Sequence, residues 1–171
     1  QRGSGRSGRC GAIRGQRRRC QGLLRACRIP SGGSTTVKQA VSLRKAGVMP
    51  HEMGIFVRSA SEMDRTRSAA EDAGLSYKIL DENIETSSRH VSLSTMHLAK
   101  GMEFRAVVVM ACDDEVIPSQ NRIETVADDA DLAEVYDTER HLLYVACTRV
   151  RDYLLVTSGD SPSEFLDDLR M

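Results

Sequence analysis

The feature that most restricts how this chain can fold is the stretch 91–110, VSLSTMHLAKGMEFRAVVVM. Residues 91–95 alternate Val and Leu with Ser, and residues 105–110 end on Ala-Val-Val-Val-Met. The first run has the period of a strand; the second is apolar at successive positions, as a strand covered on both faces requires. Between them lies a polar segment with His97, Lys100, Gly101 and Glu103, long enough for about two helical turns. Two such strands belong to an open α/β sheet. The polar residues are expected to gather at the carboxyl end of the first strand, the edge at which such sheets bind ligands.

The flanking sequence keeps strand and helix alternating. Met53-Gly54-Ile55-Phe56-Val57 reads as a buried strand, Ser61 can cap a helix running to Ala73 with Gly74 as its stop, and residues 76–80 read as a further short strand. That order suits a parallel sheet with a right-handed crossover. Ahead of it, Val37, Ala40 and Val41 share a helical face that Gly47 would end. Beyond the central stretch, Leu132, Val135, Tyr136, Leu142, Leu143, Val145 and Ala146 form an apolar stripe, which predicts one long helix or two joined near Thr138. Residues 153–157 read as a last strand, and Ser161-Pro162-Ser163-Glu164 as a capping box with Pro at the first helical position. A chain of 171 residues built this way is one domain with a core of ordinary size.

The formal net charge of zero conceals a polarity. Residues 1–51 hold twelve Lys plus Arg and no acid, whereas residues 52–171 hold twelve basic and twenty-four acidic residues. A basic arm on an acidic body suggests nucleic-acid contact through the arm. Residues 1–34, however, are Arg, Gly, Ser, Gln and Cys, with Leu23 and Leu24 as the adjacent large apolar pair, and such a composition cannot offset the entropy of ordering. Disorder is expected there. Arg17, Arg18 and Arg19 are its candidate nucleic-acid patch, and a non-native leader is the reading the composition favours. The ordered domain is expected over 35–171. Cys10, Cys20 and Cys27 match no zinc spacing, and Cys112 and Cys147 sit among apolar residues as small core side chains. No apolar run is long enough to cross a bilayer, and the arm lacks the hydrophobic segment of a secretory signal. A cytoplasmic chain with no membrane partner is expected.

The polar segment carries a second signal. Thr95, His97, Lys100, Gly101, Glu103 and Phe104 fall in register with T-x-H-x-x-K-G-L-E-F, with Met102 in place of Leu. This resembles motif V of the UvrD/Rep-type superfamily 1 DNA helicases. Further on, ERHLLYVACTR resembles motif VI of that family, E-R-R-L-x-Y-V-x-x-T-R. Glu139, Arg140, Leu142, Tyr144, Val145, Thr148 and Arg149 match, and His141 stands where a second Arg is common. Two shorter likenesses accompany them. Ile55-Phe56-Val57-Arg58-Ser59 is similar to motif IVa, L-Y-R-S, and Asp113-Asp114-Glu115-Val116-Ile117-Pro118 to the loop E-E-G-x-F-P after motif V. The resemblance is to the second RecA-like domain (2A) of such a helicase. It implies an α/β fold with a RecA-like parallel sheet flanked by helices, without a Walker A loop.

Arg149 ends an apolar helix and precedes a strand, so its guanidinium should emerge at a sheet edge, where a planar fork of donors suits phosphate oxygens. The resemblance implies the arginine-finger role; an ion pair with an acidic neighbour is the structural alternative. It likewise implies that Gly101 lets the backbone approach a phosphate, that Glu103 accepts from a ribose hydroxyl, and that Thr95 and His97 face single-stranded DNA. Such phosphate contacts position a strand without reading its sequence. Lys100 is assigned no role, a tie from the loop to a nearby carboxylate being the simplest reading, and Arg140 and Tyr144 are expected to support the motif VI helix. Asp113, Asp114 and Glu115 are not expected to converge on a metal. Neither the Walker A pattern nor a Walker B acid is found, residues 31–36 read as a linker, and the family's motif IV is missing. The expectation is therefore the C-terminal portion of an ATP-dependent DNA helicase that is not ATPase-competent alone. ATP would be shared with a first RecA-like domain, which would hold the Mg2+. A non-catalytic single-stranded nucleic-acid module is the alternative, disfavoured by the acidic body. The equivalent domain of a helicase–nuclease subunit is another, but it needs a downstream nuclease motif.

Overall fold

Strands β1 (Met53–Val57), β2 (Tyr77–Ile79), β3 (Val91–Thr95), β4 (Phe104–Val109) and β5 (Val150–Val156) form one sheet in the order β2-β3-β1-β4-β5. All four strand pairings are parallel. The computed structural model describes Leu43 and residues 47–80, 89–159 and 161–169. The leader at 1–34 and the helical face of Val37, Ala40 and Val41 lie outside these residues. The expected end of that helix lies partly within them. Leu43 is helical, Gly47 takes φ +78°, and the Val48 amide donates to the Leu43 carbonyl at 3.1 Å, the closure that a glycine stop makes.

Helices cover both faces. Helix α1 (Met63–Asp72) packs with Ile55, Val57, Leu93 and Val108, whereas α3 (Asp129–Cys147) packs with Phe56, Val107, Val109 and Phe165. Every side chain of β1 is therefore buried, which is why that strand is apolar without alternation. Gly54 has its own reason. A Cβ there would meet the Phe104 ring at 2.7 Å, so the side chain that opens β4 lies directly across β1. Phe104 also meets Phe56 edge to face at 5.9 Å between ring centroids.

The expected fold class stands, and several local readings change. Ser61 does not cap α1. The chain enters through a 3-10 turn at Ala60–Glu62, and the Ser61 hydroxyl meets that of Ser59 at 2.6 Å. Gly74 does end α1, at φ +63°, with the Leu75 amide on the Ala70 carbonyl and the Gly74 amide on the Glu71 carbonyl. The connection from β3 to β4 is a single 3-10 turn, Met96–Ala99, rather than two helical turns, because Lys100 is extended and Gly101 turns back at φ +84°. The apolar stripe after residue 128 is one uninterrupted helix of 19 residues, capped by Asp128, whose carboxylate accepts from the Ala130 and Asp131 amides at 2.9 Å. In the terminal turn Glu164–Leu169 the cap is Ser163, not Ser161; its hydroxyl accepts from the Phe165 amide at 3.2 Å. Among the described residues, no helix is long and apolar enough to cross a membrane.

Candidate functional site

In a parallel sheet each connection must return the chain from one edge to the other, and this separates the expected site residues into two groups. Thr95 ends β3 and His97 follows it in the turn, so both stand at the carboxyl edge. Gly101 and Glu103 lead into β4, and Arg149 leads into β5, at the amino edge. The polar residues of the 91–110 stretch thus do not gather at the end of the first strand. Eight residues carry them across the sheet.

At the carboxyl edge Thr95 is half-buried, and its hydroxyl does not cap the turn that it begins. His97 is exposed, yet partial burial and then the Arg58 guanidinium hold its imidazole below the usual histidine range. Arg58 follows β1 and points into the α3 layer. Its Nε donates to Glu139 Oε2 and its Nη2 to Oε1, both at 2.5 Å, while Arg122 Nη1 donates to the same Oε1 at 3.0 Å. Glu139 has no exposed surface and Arg58 is 7% exposed. Burial pushes the Glu139 carboxyl up, but the hydrogen bonds and charges of Arg58, then Arg122, outweigh it and hold the carboxyl below its ordinary value. Arg122 stands on a short helix, α2 (Gln120–Glu124), in the loop after β4. That loop is anchored by Asp113, which accepts from Arg65 of α1 and from the Gly159 amide after β5. Asp113 is thus a tie between segments. Among the described residues, no group of three or more His, Cys, Asp and Glu could hold a metal ion.

At the amino edge the Arg149 carbonyl accepts from the Phe104 amide at 2.9 Å, which fixes the start of β5 against the start of β4. Glu103 and Arg149 are therefore neighbours in the fold, although forty-six positions apart. Arg149 Nε donates to the Val145 carbonyl at 3.0 Å and Nη2 to the Thr148 hydroxyl at 3.2 Å. It forms no salt bridge among the described residues, so the carboxylate partner that its setting allowed is not what holds it. Glu103 is exposed. At Gly101 a Cβ would meet nothing within 4 Å, so its backbone conformation, and not crowding, calls for glycine. Lys100 is exposed and forms no salt bridge among the described residues. Arg140 does brace its helix. It donates to Asp168 at 3.2 Å and lies 4.7 Å from the Phe165 ring centre.

The chain is similar in sequence and fold to known proteins. Residues 42–161 fit the UvrD-like helicase C-terminal domain family. The chain belongs to that family. The UvrD-like helicase C-terminal domain seen here is 40% identical over 78 residues to YjcD of Bacillus subtilis (strain 168), a stretch that is 44% of this chain and 10% of that protein. It is 34% identical over 90 residues to the ATP-dependent DNA helicase PcrA of Staphylococcus aureus (strain Mu50), covering 46% of this chain and 12% of PcrA. The matched stretch is thus about a tenth of each relative's length. Among solved structures, the C-terminal domain of a possible DNA helicase from Lactobacillus plantarum WCFS1 shares the fold. Its TM-score is 0.56 at 19% identity, over 82% of this chain and 77% of that one.

Within this helicase C-terminal domain, the link from Arg58 through Glu139 to Arg122 is what sequence reading missed. A signal for it exists. Val135, Glu139, Leu143 and Ala146 lie one above another on the buried stripe of α3, so Glu139 takes a core position in the helical repeat. A carboxylate there requires a buried cation.

Proposed function

We propose that this chain is the second RecA-like domain of an ATP-dependent DNA helicase, acting in the cytoplasm and unable to hydrolyse ATP alone. Arg149 serves as its arginine finger, Gly101 and Glu103 meet the nucleotide, and Thr95 and His97 meet single-stranded DNA. One observation carries this reading. The residues expected at the nucleotide share the amino edge, joined by the Phe104–Arg149 backbone hydrogen bond, and those expected at DNA share the carboxyl edge.

The residues fit a nucleotide. Arg149 is half-buried and carries a guanidinium with no carboxylate partner among the described residues, and the space beside Gly101 is open. ATP would supply the phosphoryl group that is transferred. The chain's part is to hold a fixed fork of donors where charge develops, and to offer the Glu103 carboxylate as an acceptor for a hydroxyl. Mg2+ would be held by the first RecA-like domain.

The test joins this chain to the first RecA-like domain of a relative such as PcrA and follows DNA-stimulated ATP turnover. Arg149→Ala should lower turnover roughly 10³-fold or more while nucleotide binding changes far less, because a finger acts mainly in the transition state. Arg149→Lys should recover little, since lysine offers a point charge and no fork. Glu103→Ala should weaken nucleotide binding more than turnover at saturation. Unchanged turnover with a lowered melting temperature in Arg149→Ala would make the residue a helix-end brace and end the finger reading.

A further inference from the structure

Two guanidiniums share one carboxylate at the carboxyl edge. Glu139 is closed to solvent, and the Arg58 side chain, 8% exposed, commits two donors to it. The Arg122 side chain is 41% exposed and gives Glu139 a single bond, at 3.0 Å. The three together leave one positive charge, and it falls on the member that solvent reaches. Alongside runs a shallow groove lined by Arg58, Ser59, Ser61, Ser119 and Asn121, whose hydroxyls and amide suit a sugar–phosphate chain. Glu62 and Glu115 stand on the same groove and oppose an anion. Glu62 is faced by Arg65 at 3.7 Å, whereas Glu115 is exposed. Arg122 stands next to this lining rather than in it: it follows Ser119, Gln120 and Asn121 on α2 and shares Glu139 Oε1 with Arg58, which does line the groove.

We propose that Arg122 is a further phosphate contact for single-stranded nucleic acid at this edge, and that Glu139 is the positioning residue that aims it. The proposal rests on the carboxyl edge receiving such a strand, and adds to Thr95 and His97 a contact from the loop after β4. Glu139 is buried and cannot compete for the ligand, and its bond to Arg122 tethers that guanidinium next to Arg58 at the groove wall. A flexible surface arginine would lose side-chain freedom on binding; this one has lost part of it in advance.

The experiment follows binding of a fluorescein-labelled oligothymidylate to the full chain by anisotropy, over a series of salt concentrations. Arg122→Gln should weaken binding several-fold at low salt and reduce the slope of log K against log salt by about 0.7, the value of one phosphate contact on a single strand. Arg67→Gln, an exposed α1 arginine paired with Asp64, should leave the slope unchanged. Glu139→Gln raises the net charge by one, so charge alone predicts tighter binding, whereas the positioning role predicts weaker binding. If that variant does not fold, Arg122→Lys answers the same question, because it keeps the charge without the fork; affinity equal to wild type would then overturn the positioning role. A wild-type chain that binds while Arg122→Gln keeps the full slope overturns the Arg122 contact and spares the assignment of the edge. Folded wild type that binds no oligonucleotide at low salt overturns both.

Discussion

Glu139 shows how one side chain commits its neighbours. A buried carboxylate is tolerable because Arg58 supplies two hydrogen bonds and Arg122 a third, and the reverse holds for Arg58. Glu139→Ala should therefore cost about 3–5 kcal/mol, mostly the penalty of an unpaired buried guanidinium. The double variant Arg58→Met, Glu139→Leu should regain most of it, and urea unfolding of the four proteins in the cycle measures the difference. Additive losses would mean that the pair is not coupled. His97 carries a pH dependence of definite sign. Its folded-state pKa lies below the ordinary value, so the fold favours the neutral ring. That contribution is present above about pH 6.5 and is lost as the pH falls from there towards the folded-state value. Melting temperature should decline slightly over that window, and less in His97→Gln; parallel curves for the two proteins would remove the effect. The Glu139 carboxyl, held below its ordinary value, acts in a lower window, below about pH 4.3. Glu115 is strained at φ +70°, a conformation that disfavours a side chain by roughly 1–2 kcal/mol before the entropy of glycine offsets part of it. Glu115→Gly should raise the melting temperature by a few degrees, and a fall would show that the glutamate side chain compensates for its backbone.

Among the elements, β1 and β4 are set by the contact of Gly54 with Phe104. Gly54→Ala forces the ring aside or the strands apart, at about 1–3 kcal/mol for an overpacked core. Thermal unfolding checks the stability, and the near-ultraviolet spectrum checks whether the aromatic environment shifts; an unchanged melting temperature would show that the ring relocates freely. The strands themselves were legible in the sequence. Five consecutive apolar residues at 53–57 and the run at 106–110 can only be covered on both faces, and Gly74 could hardly be read otherwise than as a helix stop. Ser61 and Ser163 show where legibility ended. A serine near a helix start is a cap only if the chain arrives extended, and the 3-10 turn at Ala60–Glu62 is decided by tertiary packing rather than by the serine. The candidate site residues could be named from the sequence, but their arrangement could not be read from it. Thr95, His97, Gly101 and Glu103 are close in sequence, and only the parallel pairing of β3 and β4 with β1 reveals that they belong to opposite edges. Glu139 was legible as a motif letter, while its place on the buried stripe of α3 went unread.

At the scale of the whole molecule, α3 is the element that touches everything that matters. It seats Glu139 under the carboxyl edge and delivers Arg149 to the amino edge, with Leu143, Ala146 and Cys147 buried between. Glu139 lies eight positions before the end of the helix at Cys147, about 12 Å along the axis, and Arg149 follows two residues later. Inserting one alanine after Leu142 should rotate the following segment by about 100°. It should abolish the DNA-stimulated turnover of the joined enzyme even where circular dichroism still reports a helix. Turnover close to wild type in that insertion variant would show that the two edges work independently. The register of this helix is thus a quantity in its own right. An insertion or deletion between Glu139 and Arg149 puts every later side chain out of phase, whatever residue is inserted or lost. Selection should therefore act on the number of residues in this segment separately from the choice of any one of them.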